Sequence, residues 1–133
     1  MLDRFSFRTS AKIEFLDITS KIQNAVDNHQ VEKGTCIIFV PHTTAGITVN
    51  ENADPAVLRD LKREIQRLNP QRADFEHSEG NSPAHVAASL TGHSLTAFIE
   101  GGRLVLGTWQ AIYLAEFDGP RQREVLVKIL PDV

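Results

Sequence analysis

The sequence predicts an α+β fold, and three observations carry that prediction. Alternating apolar and polar residues open the chain, helical periodicity fills its middle, and the last third holds successive strand patterns with no helix between them. Strands that follow one another without crossover helices pair antiparallel, which excludes a doubly wound parallel sheet. Residues 1–133 carry no linker-like, repetitive or low-complexity segment, so they form one domain.

Phe5 and Phe7 alternate with polar neighbours, and Ile13 and Phe15 repeat the pattern, predicting two short strands that pair as an opening hairpin. From Asp17 the period changes. Ile18, Ile22, Ala25 and Val26 fall on one helical face, with Gly34 as the stop signal. Thr35 to Val40 is rich in β-branched residues and Gly46 to Asn50 alternates, so two strands flank a loop containing His42. Asp54-Pro55 supplies a cap and a first-turn proline for a helix striped by Val57, Leu58, Leu61, Ile65 and Leu68, ending near Asn69-Pro70. Ser82-Pro83 repeats that start signal ahead of Val86, Ala87 and Leu90, with Gly92 closing the helix and His85 in its first turn. Leu95 to Ile99, Arg103 to Thr108, Gln110 to Phe117 and Glu124 to Leu130 then read as an antiparallel meander.

Hydrophobic residues make up 41% and charged residues 23% of the chain, enough apolar material for a core and too little charge for disorder. With a net charge of −3 and Lys and Arg scattered among acids, there is no basic stripe to track a phosphate backbone, so no nucleic-acid partner is expected. The first residues lack the apolar run of a signal peptide, and no segment approaches the roughly 20 apolar residues that span a bilayer. These features predict a cytoplasmic protein with no membrane partner. Cys36, the only cysteine, sits in an apolar run with no neighbouring base and reads as a buried structural thiol.

The segment His77-Ser78-Glu79-Gly80-Asn81-Ser82-Pro83-Ala84-His85 places two imidazoles, a carboxylate and an amide around a helix start, and Pro41-His42-Thr43-Thr44-Ala45-Gly46 adds a third imidazole. Catalytic zinc commonly takes three protein ligands and leaves a fourth position open. Spacing alone does not join these histidines, and from spacing three unrelated surface side chains are the simpler account. Glu79 suits a general base, a group orienting a histidine, or an ion pair. Thr43 and Thr44 offer hydroxyls for a phosphate, although the P-loop pattern is absent. Asn50 to Asp54 is dense in oxygen groups, with Asp54 claimed by the helix cap. Arg121 is a planar donor fork for phosphate or carboxylate, with a plain salt bridge as the alternative. Trp109 reads as core, and Gln110 needs a partner if buried. His29 and His93 fall outside these groupings.

His42-Thr43-Thr44-Ala45-Gly46-Ile47-Thr48, Asn50-Glu51-Asn52-Ala53-Asp54-Pro55, His77-Ser78-Glu79-Gly80-Asn81-Ser82, Gly107-Thr108-Trp109-Gln110 and Glu116-Phe117-Asp118-Gly119-Pro120-Arg121 together resemble the YjbQ-like family. These ordered motifs cover nearly the whole chain. The resemblance implies an α+β fold containing an antiparallel β-sandwich, with about three helices, and a homotrimer. It implies a secondary thiamine-phosphate synthase activity, joining hydroxymethylpyrimidine diphosphate to thiazole phosphate. By position it implies His42, His77 and His85 as ligands of a divalent metal, for which three neutral imidazoles favour zinc. Beside the resemblance, Arg121 is expected to act with the metal on the leaving diphosphate and Glu79 as a second catalytic group, with Thr43, Thr44, Asn50, Asn52, Asn81 and Gln110 as contacts to a small phosphorylated substrate. Two other readings of the same residues stand beside it: a metal-dependent hydrolase using Glu79 as base, and a non-enzymatic trimer that binds a small ligand or metal.

Overall fold

The alternating and helical patterns resolve, in a computed structural model that describes residues 2–133, into eight strands and three helices. In chain order these are β1 (Leu2–Arg8), β2 (Glu14–Asp17), α1 (Thr19–His29), β3 (Gly34–Phe39), β4 (Ala45–Glu51), α2 (Pro55–Leu68), α3 (Ser82–Thr91), β5 (Ser94–Glu100), β6 (Arg103–Leu104), β7 (Gln110–Glu116) and β8 (Gln122–Pro131). The strands form a five-stranded sheet, β1-β8-β3-β5-β6, and a three-stranded sheet, β2-β7-β4. Every pairing is antiparallel, as the α+β reading requires. Among the described residues no helix is long and apolar enough to cross a membrane.

The pairing partners differ from the expected local ones. β1 and β2 do not form a hairpin: Phe5 pairs with Val125 in the larger sheet, whereas Phe15 pairs with Ala115 in the smaller one. The C-terminal strands are not a meander either. β5 and β6 form a hairpin, β7 crosses to the smaller sheet between β2 and β4, and β8 returns to lie between β1 and β3. Burial explains the crossing. Ile112 and Leu114 of β7 and Val125 and Val127 of β8 are fully buried in one cluster between the sheets, with Ile38 of β3 and Ile22 and Val26 of α1. Each such side chain gains roughly 1.5–3 kcal/mol on leaving water.

Local signals set most helix ends. Asp54 caps α2 by accepting from the Ala56 N–H at 2.9 Å, ahead of Pro55 in the first turn. α1 ends at His29 with Gln30 in the left-handed region, at φ 55°, so Gly34 is not its stop signal. Gly34 opens β3 instead, because a Cβ there would lie 2.4 Å from the Leu130 carbonyl oxygen of β8. Gly46 is constrained similarly, since its Cβ would lie 2.5 Å from the Gly92 carbonyl where α3 closes on β4. Trp109 is not core. It occupies the turn that Gln110 N–H closes on the Gly107 carbonyl, and it is 62% exposed. Cys36 is buried as expected, and burial pushes its thiol up to about 11.

One ion pair lies inside this apolar interior. Glu116, at the end of β7, is 0% exposed, and Arg123, near the start of β8, is 3% exposed. Arg123 Nε donates to Glu116 Oε1 and Oε2 at 2.9 and 3.1 Å, and its Nη2 donates to Oε2 as well. The pair therefore ties the end of the smaller sheet to the larger one. Removing one partner would strand a buried charge, which costs about 3–5 kcal/mol. Chemical denaturation of Arg123→Ala and Glu116→Ala should show losses of that size. The double variant Glu116→Leu/Arg123→Met should recover a substantial part; single variants within about 1 kcal/mol of the parent would contradict the assignment.

Candidate functional site

Thr43, Thr44 and His42 and, after β7, Arg121 lie on two chain segments that meet the Glu116–Arg123 pair, and a third segment, carrying His77, Glu79, Asn81 and His85, joins them through Asn81 and Asp118. The first is the β3–β4 loop. Thr44 is buried, and its carbonyl oxygen and Oγ1 accept from Arg123 Nη2 at 3.1 and 2.8 Å, so the hydroxyl expected to face a phosphate serves the ion pair. Thr43 stays exposed. His42 is partly buried, and its Nε2 accepts from the Glu124 N–H at 2.8 Å. Only a ring with a lone pair on Nε2 can do this, which places the proton of the neutral ring on Nδ1. Removal from water and the Arg123 guanidinium hold the His42 pKa below its usual value.

The second segment is the turn after β7. Burial pushes the Glu116 carboxyl up, but hydrogen bonds from Arg123, Thr9 and the Asp118 N–H, with the Arg123 charge, outweigh that and hold it below the usual carboxylate range. Thr9 Oγ1 donates to Glu116 Oε1 at 2.8 Å and accepts from the Arg121 N–H at 2.9 Å. Gly119 leaves no room for a side chain, because a Cβ would lie 2.3 Å from the Ala11 carbonyl oxygen. The Gly119–Pro120 peptide is cis. Within this turn Arg121 Nε donates to the Asp118 carbonyl at 2.8 Å and Nη2 to Asp118 Oδ2 at 3.0 Å. The salt-bridge alternative for Arg121 is thus realised, while its side chain remains 49% exposed.

The third segment is the approach to α3. A turn closes between the His77 carbonyl and the Gly80 N–H, with Gly80 at φ 72°, a left-handed value that suits glycine. This folds His77 back over the first turn of α3, where its ring meets His85 edge to face with centroids 5.2 Å apart. Two imidazoles on one tetrahedral zinc, with Zn–N near 2.0–2.1 Å, would have ring centres about 5 Å apart, the separation this pair shows. Asn81 is the N-cap residue of α3, with its carbonyl accepting from the Ala84 N–H, but its side chain makes no capping bond. Its Nδ2 reaches Asp118 Oδ2 at 2.9 Å, linking this segment to the second. Glu79 is exposed in the turn.

The structure does not unite all the expected residues within one chain. Among the described residues no group of three or more His, Cys, Asp or Glu side chains is arranged to hold a metal: His77 and His85 meet, whereas His42 is engaged with Glu124. Asn50, Asn52 and Gln110 lie at the far end of the smaller sheet. Glu51 pairs with Gln110 there, while Ala45 pairs with Glu116 at the near end. Those ends are about 20 Å apart along β4 at roughly 3.4 Å per residue. Asn50 Oδ1 accepts from the Glu51 N–H, the Asn52 N–H donates to the Trp109 carbonyl, and Gln110 Oε1 accepts from the Gly107 N–H.

Sequence reasoning passed over Arg123 and the roles of Glu116 and Asp118. A signal was present: two opposite charges, seven residues apart, terminate apolar strands on either side of a Gly-Pro turn.

Because the folded His42 ring resists protonation, its contribution to stability is whole above about pH 6.5 and is lost as pH falls from there through the lowered folded value. In metal-free protein, NMR titration should place the His42 midpoint below 6.5 with the Nδ1–H tautomer above it. A midpoint above 6.5 would contradict the geometry.

Residues 3–132 match the family model described as UPF0047 protein YjbQ-like. UPF0047 protein MJ1081 of Methanocaldococcus jannaschii is 49% identical over 132 residues, covering 99% of this chain and 96% of that protein. UPF0047 protein YugU of Bacillus subtilis is 42% identical over 131 residues, covering 98% and 99%. A crystal structure of an uncharacterised yjbq/upf0047-family protein from Clostridium acetobutylicum superposes with a TM-score of 0.93 at 52% identity, covering 96% of this chain and 99% of that one. The structure of TT1486 from Thermus thermophilus gives 0.90 at 46% identity, again covering 96% and 99%. Matched in sequence from end to end and in fold with a shared strand and helix framework, the chain belongs to the UPF0047 YjbQ-like family.

Proposed function

We propose that this protein is a metal-dependent transferase of the secondary thiamine-phosphate synthase type, with His77 and His85 holding a divalent ion, zinc by donor chemistry. The observation that carries the proposal is the His77–His85 ring pair at 5.2 Å, fixed beside the Asn81–Asp118–Arg121 chain of hydrogen bonds. Neutral imidazoles at the end of a β-sandwich favour zinc over magnesium, which prefers oxygen ligands. In this reading His42 would complete the ligand set once its Nε2 is released from the Glu124 N–H, and its lowered pKa leaves the ring neutral, as a metal ligand must be.

In the proposed reaction the thiazole nitrogen attacks the pyrimidine methylene carbon, the C–O bond to the diphosphate breaks, and pyrophosphate leaves with the bonding electrons. A bound divalent ion would supply positive charge at the departing oxygen. Arg121 is positioned to hold a phosphate group: Asp118 fixes one side of its guanidinium, and half of the side chain faces solvent. Thr43 offers an exposed hydroxyl on the neighbouring loop.

The proposal includes a homotrimer with a cytoplasmic location. Surface hydrophobicity supports association. The α2 stripe of Val57, Leu58, Leu61, Ile65 and Leu68 contributes no fully buried residue, and Leu2, Phe39, Phe98 and Leu130 are exposed on the larger sheet. Asn50, Asn52 and Gln110 would serve the substrate in this assembly, where the far end of one chain meets the near end of another.

Metal-loaded protein should form thiamine phosphate from hydroxymethylpyrimidine diphosphate and thiazole phosphate. His77→Ala and His85→Ala should lose bound zinc and more than about 100-fold in rate, a larger effect than removing a group that merely orients a ligand. Arg121→Ala should lose roughly 100-fold in rate with its zinc retained. No product from the parent protein, or stoichiometric zinc in both histidine variants, would contradict the proposal. Hydrolysis of the diphosphate that depends on Glu79 would favour the hydrolase instead.

A further inference from the structure

We propose that Asn81 is a positioning residue for the His77–His85 pair, anchored by Asp118, and that it makes no contact with substrate. Its side chain is already committed. Nδ2 donates to Asp118 Oδ2 at 2.9 Å, and a carboxylate oxygen only accepts, so the amide cannot be turned the other way round. Oδ1 is buried, with no hydrogen-bond partner among the described residues. A buried acceptor left unpaired is costly, so the bond to Asp118 holds an orientation that the amide would not choose by itself. With Nδ2 spent and Oδ1 shut away from solvent, neither polar atom is offered to a ligand.

The backbone of Asn81 lies between the turns that carry the two imidazoles. Its carbonyl accepts from the Ala84 N–H at 3.0 Å and the His85 N–H at 3.4 Å, which fixes the first turn of α3 under His85. Immediately before it, the Gly80 N–H donates to the His77 carbonyl at 3.2 Å and closes the turn that carries His77. Both turns therefore meet at residue 81, and the separation of the rings, 5.2 Å between centroids, depends on where that residue is held. Asp118 holds it from the core: its side chain is 17% exposed, and its N–H donates to Glu116 Oε2 at 3.1 Å. Arg121 Nη2 donates to the same Asp118 oxygen at 3.0 Å, so the two donors can be removed one at a time.

The consequence for a metal rests on the function proposed above; the positioning does not. In metal-free protein, nuclear Overhauser contacts between the His77 and His85 rings report the positioning, and titration with zinc alone reports its consequence. Asp118→Ala and Asn81→Ala should each lose the ring contacts and weaken zinc binding about 10–100-fold, the range for groups that orient metal ligands. Because both break one bond, the double variant should be no worse than either single one. Asp118→Asn removes the charge but keeps an oxygen acceptor for the Asn81 amide, so it should retain the ring contacts and most of the zinc affinity. Arg121→Ala, which removes the other donor to that oxygen, should change neither. Ring contacts that respond in this way in a parent protein that binds no zinc would support the positioning and refute the metal site. Ring contacts kept in both Asp118→Ala and Asn81→Ala, or lost as fully in Asp118→Asn as in Asp118→Ala, would overturn the inference.

Discussion

An arginine and a glutamate inside an apolar sandwich are costly unless every polar atom is occupied, since removal of each charge from water costs several kcal/mol after relaxation. Glu116 and Arg123 meet that demand by drawing in groups from outside their own strands: the Thr44 hydroxyl and carbonyl, the Thr9 hydroxyl and the Asp118 N–H. Each partner belongs to a segment that carries or adjoins a candidate functional side chain. Satisfying the ion pair therefore fixes the loop bearing His42, the turn bearing Asp118 and Arg121, and through Asn81 the start of α3. The energetic requirement of the core and the positioning of the site are one arrangement.

That coupling accounts for which residues sit together. His42, Asp118, Arg121 and the start of α3 share the end of the smaller sheet at which β7 meets the ion pair. Asn50, Asn52 and Gln110 belong to the opposite end, where short backbone and side-chain bonds hold their own turns. A β-strand transmits register rather than proximity, so motifs adjacent in function can be separated by its full length.

What the sequence made legible followed the range of the interaction involved. Asp54-Pro55 revealed a helix start because the acceptor and the proline act on adjacent residues. Ser82-Pro83 placed His85 near a helix start for the same reason, and the turn at Gly80 then brought His77 to it. Gly34 was misleading because its constraint is the Leu130 carbonyl in β8, a partner no local pattern discloses. The same holds for β1 and β2, which have hairpin-like spacing but find their partners in β8 and β7. Trp109 shows that hydrophobicity alone does not separate a core residue from a turn. Arg123 went unremarked because its role exists only once Glu116 and Thr44 surround it.

The central claim, that the buried pair positions the candidate site, is tested most directly by amide hydrogen exchange in Glu116→Gln. The account predicts faster exchange at the Glu124 N–H, which holds His42, and at the Asp118 and Arg121 N–H groups. The increase should exceed that at Cys36 and Ala97 in the β3–β5 ladder, which report general destabilisation. Equal acceleration at all five amides, or undiminished protection at Glu124, would contradict it.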